Sequence, residues 1–323
     1  MGERHFQFEG DEVKANADVR KHGATFQLAR TVFKDQRLLT VADLMTQGAF
    51  QPAFGGSNTI SRLRGDAFVL KVTGLTQNSV PPSIGGIANA ASYSTATFSA
   101  GEAVVIFGQN LGPAGTPVSA QIDAMTGKLG TTLAGAQVLF DGLPAPLIYV
   151  SGQQASAIVP FEIAGPGTTQ VTVRYNGAQS AAFPLRIGPS SPGLFTNNQQ
   201  GTGQGAIYNQ DSTRNSSSNP ASPGAVVVLY GTGAGQFSPA GITGQVVTSS
   251  PPFPSIDSSV SVAIDGITVP GSSILYAGAV PGLVETLFQI NVILPDNLSS
   301  GNRMVAVTIG GVTTQINVTV AVK

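Results

Sequence analysis

Apolar and polar residues alternate with a period of two in short stretches along most of this chain. Val171, Val173 and Tyr175 interleave with Thr172 and Arg174, the pattern of a strand with one buried and one wet face. The runs 101–108, 155–160 and 180–187 predict further strands, and 224–231, 288–295, 304–309 and 314–322 repeat the same order. Two apolar runs flank Asp141-Gly142, and the motif returns 124 residues later at Asp265-Gly266. Asp-Gly between such runs predicts a hairpin with a type I′ turn, because both central residues need positive φ. Asn176-Gly177 and Gly310-Gly311 predict two more hairpins, and the lead-ins Ile87-Ala88-Asn89 and Ile207-Tyr208-Asn209 also correspond. Strands at this spacing, with no helical period between them, specify an all-β chain of two tandem antiparallel sandwiches, over 83–187 and 188–323.

Charge is spread unevenly. Residues 1–80 hold ten of the 16 Lys/Arg, eight of the 17 Asp/Glu and both histidines. The shift places a boundary near Pro81-Pro82 and predicts a stable core from about Val80. Residues 1–46 read as a charged leader, poorly ordered or partly helical around Leu28 to Met45. Elsewhere the chain is poor in charge, at 10% overall against about 25% in an average globular protein. A net charge of −1 gives no reason to expect nucleic acid as a partner. The absence of cysteine excludes disulfides and thiolate metal sites and leaves the compartment open. No run approaches the roughly 18–20 apolar residues of a membrane helix, and the first twelve residues lack the apolar segment of a signal peptide.

Residues 48–56 (Gly48-Ala49-Phe50-Gln51 to Gly55-Gly56) and 65–72 (Gly65-Asp66-Ala67-Phe68-Val69) resemble the end of one repeat of bacterial seven-bladed β-propeller proteins. A lone repeat cannot close a ring, so 47–79 is expected to be a propeller remnant and linker. The order of strand motifs after Ile84 resembles the immunoglobulin-like module of plexins and transcription factors (IPT/TIG). A narrower resemblance is carried by Asn89-Ala90-Ala91-Ser92-Tyr93, Ile106–Pro113, Pro144–Ser151, Ala157–Phe161, Pro192–Phe195, Gly203–Asp211 and Leu275–Leu283. Across Ile84 to Val322 the chain is similar to the C-terminal domain family of acidobacterial, Solibacter-type secreted proteins, often found after β-propeller repeats. That resemblance implies an extracellular or cell-surface product and brings no established activity with it.

Catalytic readings fail on the residues themselves. Gly231-Thr232-Gly233-Ala234-Gly235 follows an apolar strand, but Gln236 stands where a dinucleotide loop needs glycine, and Pro239 interrupts the expected helix. Serine is plentiful, yet His5 and His22 both lie outside the duplicated body, so no Ser-His-Asp site is expected. Asp141 and Asp265 are explained as turn residues, and Glu162 and Glu285 fall at different places in the two repeats and are expected to be solvated. Asp211 and Asp257 are isolated, so no metal site is visible, and no cofactor is implied. The function expected is a non-catalytic structural or adhesive module at the C-terminal part of a larger secreted protein; a carbohydrate- or polymer-binding accessory module of a degradative enzyme is the alternative. Its partner would be a protein or polysaccharide surface. The long loops 108–133 and 231–259 are expected at one pole of each sandwich, where Asn110, Gln153, Phe237 and Phe253 would contact a ligand. The alternative is that these loops fold down as extra edge strands.

Overall fold

The computed structural model describes residues 80–163 and 165–323. The predicted leader, 1–46, and the propeller-like stretch, 47–79, lie outside the described residues. The first half contains β1 (Ser83–Asn89), β2 (Ala103–Gln109), β3 (Val118–Ser119), β4 (Ile122–Asp123), β5 (Lys128–Leu129) and β6 (Ala136–Phe140). It continues with β7 (Leu143–Ala145), β8 (Leu147–Val150), β9 (Gln154–Ile158), β10 (Gly167–Tyr175), β11 (Ala178–Gln179) and β12 (Phe183–Ile187). One sheet runs β1-β2-β9-β8-β3, and the facing sheet runs β11-β10-β6-β7 with β12 also on β10. The alternation read in the sequence decides which side chains lie between them: Val104, Ile106, Val138, Phe140, Val171 and Val173 are fully buried there.

The second half repeats the plan with β13 (Gly193–Leu194), β14 (Gly203–Gln204), β15 (Tyr208–Asn209), β16 (Val226–Thr232), β17 (Phe237–Ser238), β18 (Ser255–Ile256) and β19 (Val260–Ile264). Then come β20 (Ile267–Thr268), β21 (Ile274–Ala279), β22 (Leu287–Ile293), β23 (Gly301–Ile309), β24 (Val312–Thr313) and β25 (Val318–Val322). The central run β16-β22-β21 matches β2-β9-β8, and β23-β19-β20 matches β10-β6-β7. The lead-in asparagines also correspond: Asn89 pairs with Val104 and Asn209 with Val227, each at the start of the first long strand. Over the described residues the fold is all-β, two tandem immunoglobulin-like sandwiches.

Both Asp-Gly turns are type I′, with φ of 47° and 83° at Asp141-Gly142 and 48° and 79° at Asp265-Gly266. Each aspartate also ties its hairpin to the neighbouring strand. Asp141 Oδ1 accepts the Gln170 amide at 2.8 Å, and Asp265 Oδ1 accepts the Met304 amide at 2.7 Å. Hydrogen bonding to the main chain explains why the same residue stands at the same place twice.

The long loops fold down instead of projecting. In the first, β3 extends the sheet beside β8, and β4 and β5 form a small hairpin. In the second, β17 and β18 extend the sheet beyond β21, covering an edge that would otherwise expose unpaired amides. The remainder of the second loop seats on the first sandwich: Leu129 N donates to Gly244 O and Val246 N to Gly127 O, both at 2.9 Å.

Each sandwich has its own core, and the first half lends two side chains to the core of the second. Phe161, in a single 3-10 turn (Phe161–Ile163) after β9, belongs to the apolar cluster of the second sandwich together with Ala100. Its ring meets Phe237 edge-on at 6.1 Å. A Cβ at Gly101 or Gly241 would lie 2.3 or 2.5 Å from that ring, so both positions require glycine. Hydrogen bonds complete the joint. Thr232 Oγ1 accepts the Ala103 amide at 2.9 Å and donates to Thr286 O at 2.7 Å. Asn89 Nδ2 donates to Ser191 O and to Glu102 Oε1. The glycine-rich run after β16 serves the same joint. Cβ atoms at Gly233 and Gly235 would strike Ser191 O and Pro189 O at 2.0 Å, so these glycines let the linker backbone lie against the strand exit.

Glu102 sits fully buried in this joint, with Oε2 accepting from the Ser99 amide at 2.8 Å. Burial outweighs the hydrogen bonds from Ser99 and Asn89 and pushes its carboxyl up to about 8.

Three outcomes follow from this architecture. Gly142→Val and Gly266→Val each destabilise the protein by about 1–3 kcal/mol in urea titrations, because a β-branched residue must take positive φ, while Asp141→Asn is nearly neutral. Phe161→Ala costs about 3–5 kcal/mol, and circular dichroism and tyrosine fluorescence no longer report one coincident transition, since the sandwiches lose the side chain that joins them. Glu102 binds its proton more tightly folded than unfolded, so its contribution is complete below about pH 4.5 and is lost as pH rises toward about 8. The midpoint for unfolding therefore falls across that window, and Glu102→Gln flattens the slope.

Candidate binding surface

The four residues expected to contact a ligand do not converge. Asn110 and Gln153 are exposed at one end of the first sandwich. Their loops are held together there by bonds from Gly108 N to Gln153 O and from Leu111 N to Gly152 O. Phe253 is half-buried against the second core and meets Tyr276 edge-on at 6.4 Å. Phe237 is a correction: only 4% exposed, it points inward onto Phe161 and is closed to any ligand. It turns inward because the loop carrying it pairs as β17 on the sheet edge, and an aromatic there gains more from burial than from water. No signal in the sequence separates a stiff exposed loop from one laid onto a neighbouring sandwich.

The titratable groups do not assemble a reactive site. Glu162 is exposed, as expected, and accepts from Thr243 Oγ1 at 2.7 Å. Glu285 is not solvated, contrary to expectation: it is 4% exposed, and its Oε2 accepts the Ile242 amide at 2.9 Å. It anchors the long loop of the second sandwich, and burial pushes its carboxyl above the usual carboxylate range. Asp141 and Glu162 line a shallow depression of about 230 Å³ with Thr168 and Thr169, but each carboxylate already holds a structural hydrogen bond. Among the described residues no three His, Cys, Asp or Glu side chains are grouped to hold a metal ion. Asn215, which with Ser216 and Ser217 forms an Asn-x-Ser sequence, is fully buried, bonded to Asn209 Oδ1 and to both backbone groups of Ala321.

A different set of residues is brought together on the outer face of the second sandwich. In β16, Val227 and Leu229 enter the core, so Val226, Val228 and Tyr230 face outward. In β22, Phe288, Ile290 and Val292 enter the core, and Leu287, Gln289, Asn291 and Ile293 face outward. Register aligns them: Tyr208 opposes Val228, Val228 opposes Asn291, and Tyr230 opposes Gln289. On the far side Tyr276 opposes Asn291, next to a bulge at Leu275 that leaves Leu275 exposed. The diagonal neighbours Tyr208 and Tyr230 meet edge-on at 5.9 Å.

The chemistry of this face is uniform. Three tyrosines flank an amide pair, Gln289 Nε2 donating to Asn291 Oδ1 at 2.8 Å, and no charged side chain stands at these outward positions of β15, β16, β21 and β22. The Tyr276 hydroxyl donates to Ala279 O, which lays its ring along the strand over Gly278. Burial, and for Tyr230 also the neighbouring Tyr208, raises the Tyr230 and Tyr276 hydroxyls above the usual phenol range, so they are neutral in physiological solution. The period-two pattern puts Tyr230, Gln289 and Asn291 on a face opposite the core. That signal is present in the sequence, but the pairing of three strands and a bulge is not.

No protein-family model matches the chain, and no curated protein matches it. Among solved structures it is similar to SGBP-B of the Bacteroides ovatus mixed-linkage glucan utilization locus, solved with a mixed-linkage heptasaccharide. The two are 15% identical with a TM-score of 0.31, over 75% of this chain and 45% of that one, so the chain spans under half of it. It is also similar to domains 5–6 of the S-layer protein SbsC, at 11% identity and a TM-score of 0.23 over 75% and 98% of the two chains. A third likeness, to the BSP domain of a biofilm-associated protein, has 13% identity and a TM-score of 0.22 over 75% and 29%. At such identities and TM-scores these likenesses carry no argument about what the chain binds, which rests on its own side chains.

Proposed function

We propose that this chain is a non-catalytic structural and adhesive module of an extracellular or cell-surface protein, one of the Solibacter-type C-terminal domains that its sequence phrases resemble. The observation that carries the reading is the packed joint. Phe161 of the first half is inserted beside Phe237 into the cluster of the second sandwich, a joint that suits a part that transmits load or presents a surface. The carboxylates support the same reading, since Asp141, Asp265, Glu102 and Glu285 are each engaged in holding main chain or joint. A general acid or base has to be available to a substrate, and these four are committed elsewhere.

The test sets adhesion against turnover. Beads coated with the full chain should be retained on cell-surface or polymer films, while the same protein releases no product from ester, glycoside, peptide or phosphomonoester reporters. Turnover that is abolished by Asp141→Asn or Glu285→Gln at unchanged stability would overturn the proposal.

A further inference from the structure

We infer that the outer face of β15, β16, β22 and β21 is a binding site for an uncharged polysaccharide chain, built by Tyr208, Tyr230, Gln289, Asn291 and Tyr276. The inference rests on the reading of the chain as an adhesive module and adds the place and the chemical class of what it adheres to.

The first argument is the geometry of the row. Tyr208, Val228, Asn291 and Tyr276 occupy four adjacent strands at one level, and Tyr230 and Gln289 lie one level along. Three strand spacings make the row about 14 Å long, an extended and nearly flat strip. A polymer lying across the strands fits it, whereas a small molecule would want the concave enclosure that this face lacks. Tyrosine offers broad, rigid contact area for little loss of side-chain freedom. The apolar faces of sugar rings stack on such area through C–H contacts to the π-system.

The second argument concerns the amides. Gln289 Nε2 and Asn291 Oδ1 bond to each other, which orients both groups. Gln289 is left with an outward acceptor and Asn291 with an outward donor. A sugar hydroxyl both donates and accepts, so neighbouring hydroxyls on one ring satisfy this pair in either direction. Charge completes the case. None of the outward residues of these four strands carries a charged side chain, and burial holds the Tyr230 and Tyr276 hydroxyls above the usual phenol range. Arg214, exposed and bridged to Tyr208, borders the row at one end, but along the row itself a charged chain finds only amides and phenols, which favours a neutral one.

The duplication supplies an internal comparison. The first sandwich puts Phe107, Gln154 and Tyr149 where the second has Tyr230, Gln289 and Tyr276. There, however, Ala88 stands for Tyr208 and Ser156 for Asn291. Ala88, Val105 and Ser156 are buried, and the Ser156 hydroxyl is spent on Val104 O at 3.0 Å. The first copy therefore lacks both the aromatic edge pair and the oriented amides, and the site belongs to the second sandwich.

Affinity electrophoresis of the full chain tests this, with gels containing a soluble β-glucan, a galactomannan or a xylan, and with alginate and heparin as anionic comparisons. At least one neutral polysaccharide should retard the protein, and the anionic ones should not. Tyr208→Ala combined with Tyr230→Ala should weaken retardation about tenfold or more, and Gln289→Ala should weaken it less. Tyr230→Trp keeps the ring and should retain binding, which separates loss of the site from loss of the fold. Phe107→Ala, on the corresponding face of the first sandwich, should change nothing. Retardation by no polysaccharide overturns the inference, as does retention that Tyr208→Ala/Tyr230→Ala leaves intact or that Phe107→Ala removes. A self-associating dimer in sedimentation that the same tyrosine pair disrupts overturns it too, since the face would then be covered by a second copy. Any of these results with adhesion intact and turnover absent refutes only the glycan site, whereas turnover refutes the module reading itself.

Discussion

Phe161 is the side chain on which the arrangement of the two sandwiches depends. It leaves the first sandwich in a one-turn 3-10 segment and is buried in the core of the second. The surrounding chain is shaped to admit it: Gly101 and Gly241 have no room for a Cβ beside its ring, and Gln236 Nε2 and Thr243 Oγ1 bond the Phe161 carbonyl and amide at 2.9 Å. A flexible linker would let two such domains tumble. Here a large aromatic, two glycines beside its ring and a set of cross-joint hydrogen bonds pack the first sandwich against the core of the second, and close packing makes such a joint resist deformation.

The joint also explains two features that look functional in isolation. The glycine-rich run Gly231–Gly235 follows an apolar strand as a phosphate loop does, but it lets Ser191 and Pro189 approach the end of β16. Glu102, the most strongly perturbed carboxyl among the described residues, is surrounded by Asn89 and Ser99 in the joint. Perturbed groups mark active sites often enough to be suspected, yet this one is enclosed by the fold and serves its geometry. In this joint the buried polar side chains Asn89, Glu102 and Thr232 each bond main chain. Its aromatic residues serve several places: Phe98, Phe140 and Phe288 fill the cores, Phe161 and Phe237 meet in the joint, and Tyr208, Tyr230 and Tyr276 stay half-exposed on the outer face of the second sandwich.

Much of the fold was legible in one dimension. The Asp-Gly pairs announced type I′ turns, and positive φ at Asp141, Gly142, Asp265 and Gly266 is what such turns require. The period of two in β10 and β23 announced which residues enter the core, and the repeated order announced two copies of one sheet plan. These features are local: turn chemistry and side-chain alternation act over two to eight residues, so the amino acids themselves carry them. The correspondence of Asn89 with Asn209 was visible for the same reason, each ending a strand that pairs opposite the start of the next long one.

What the sequence could not decide is where segments distant along the chain meet. Phe237 reads as an exposed loop aromatic until β17 pairs on the sheet edge and Phe161 arrives from 76 residues away. Glu285 reads as solvated until the backbone of Ile242 is laid against it. The tyrosine and amide row has members on four strands between Tyr208 and Asn291. Its existence depends on pairing register and on one bulge, quantities settled by the competition among whole sheets and not by any residue's own preference. Alone, then, the amino acids determined strands, turns and repeat. Tertiary packing decided which aromatics are spent holding the sandwiches together and which remain on the surface, because burial is a property of the neighbours a residue acquires.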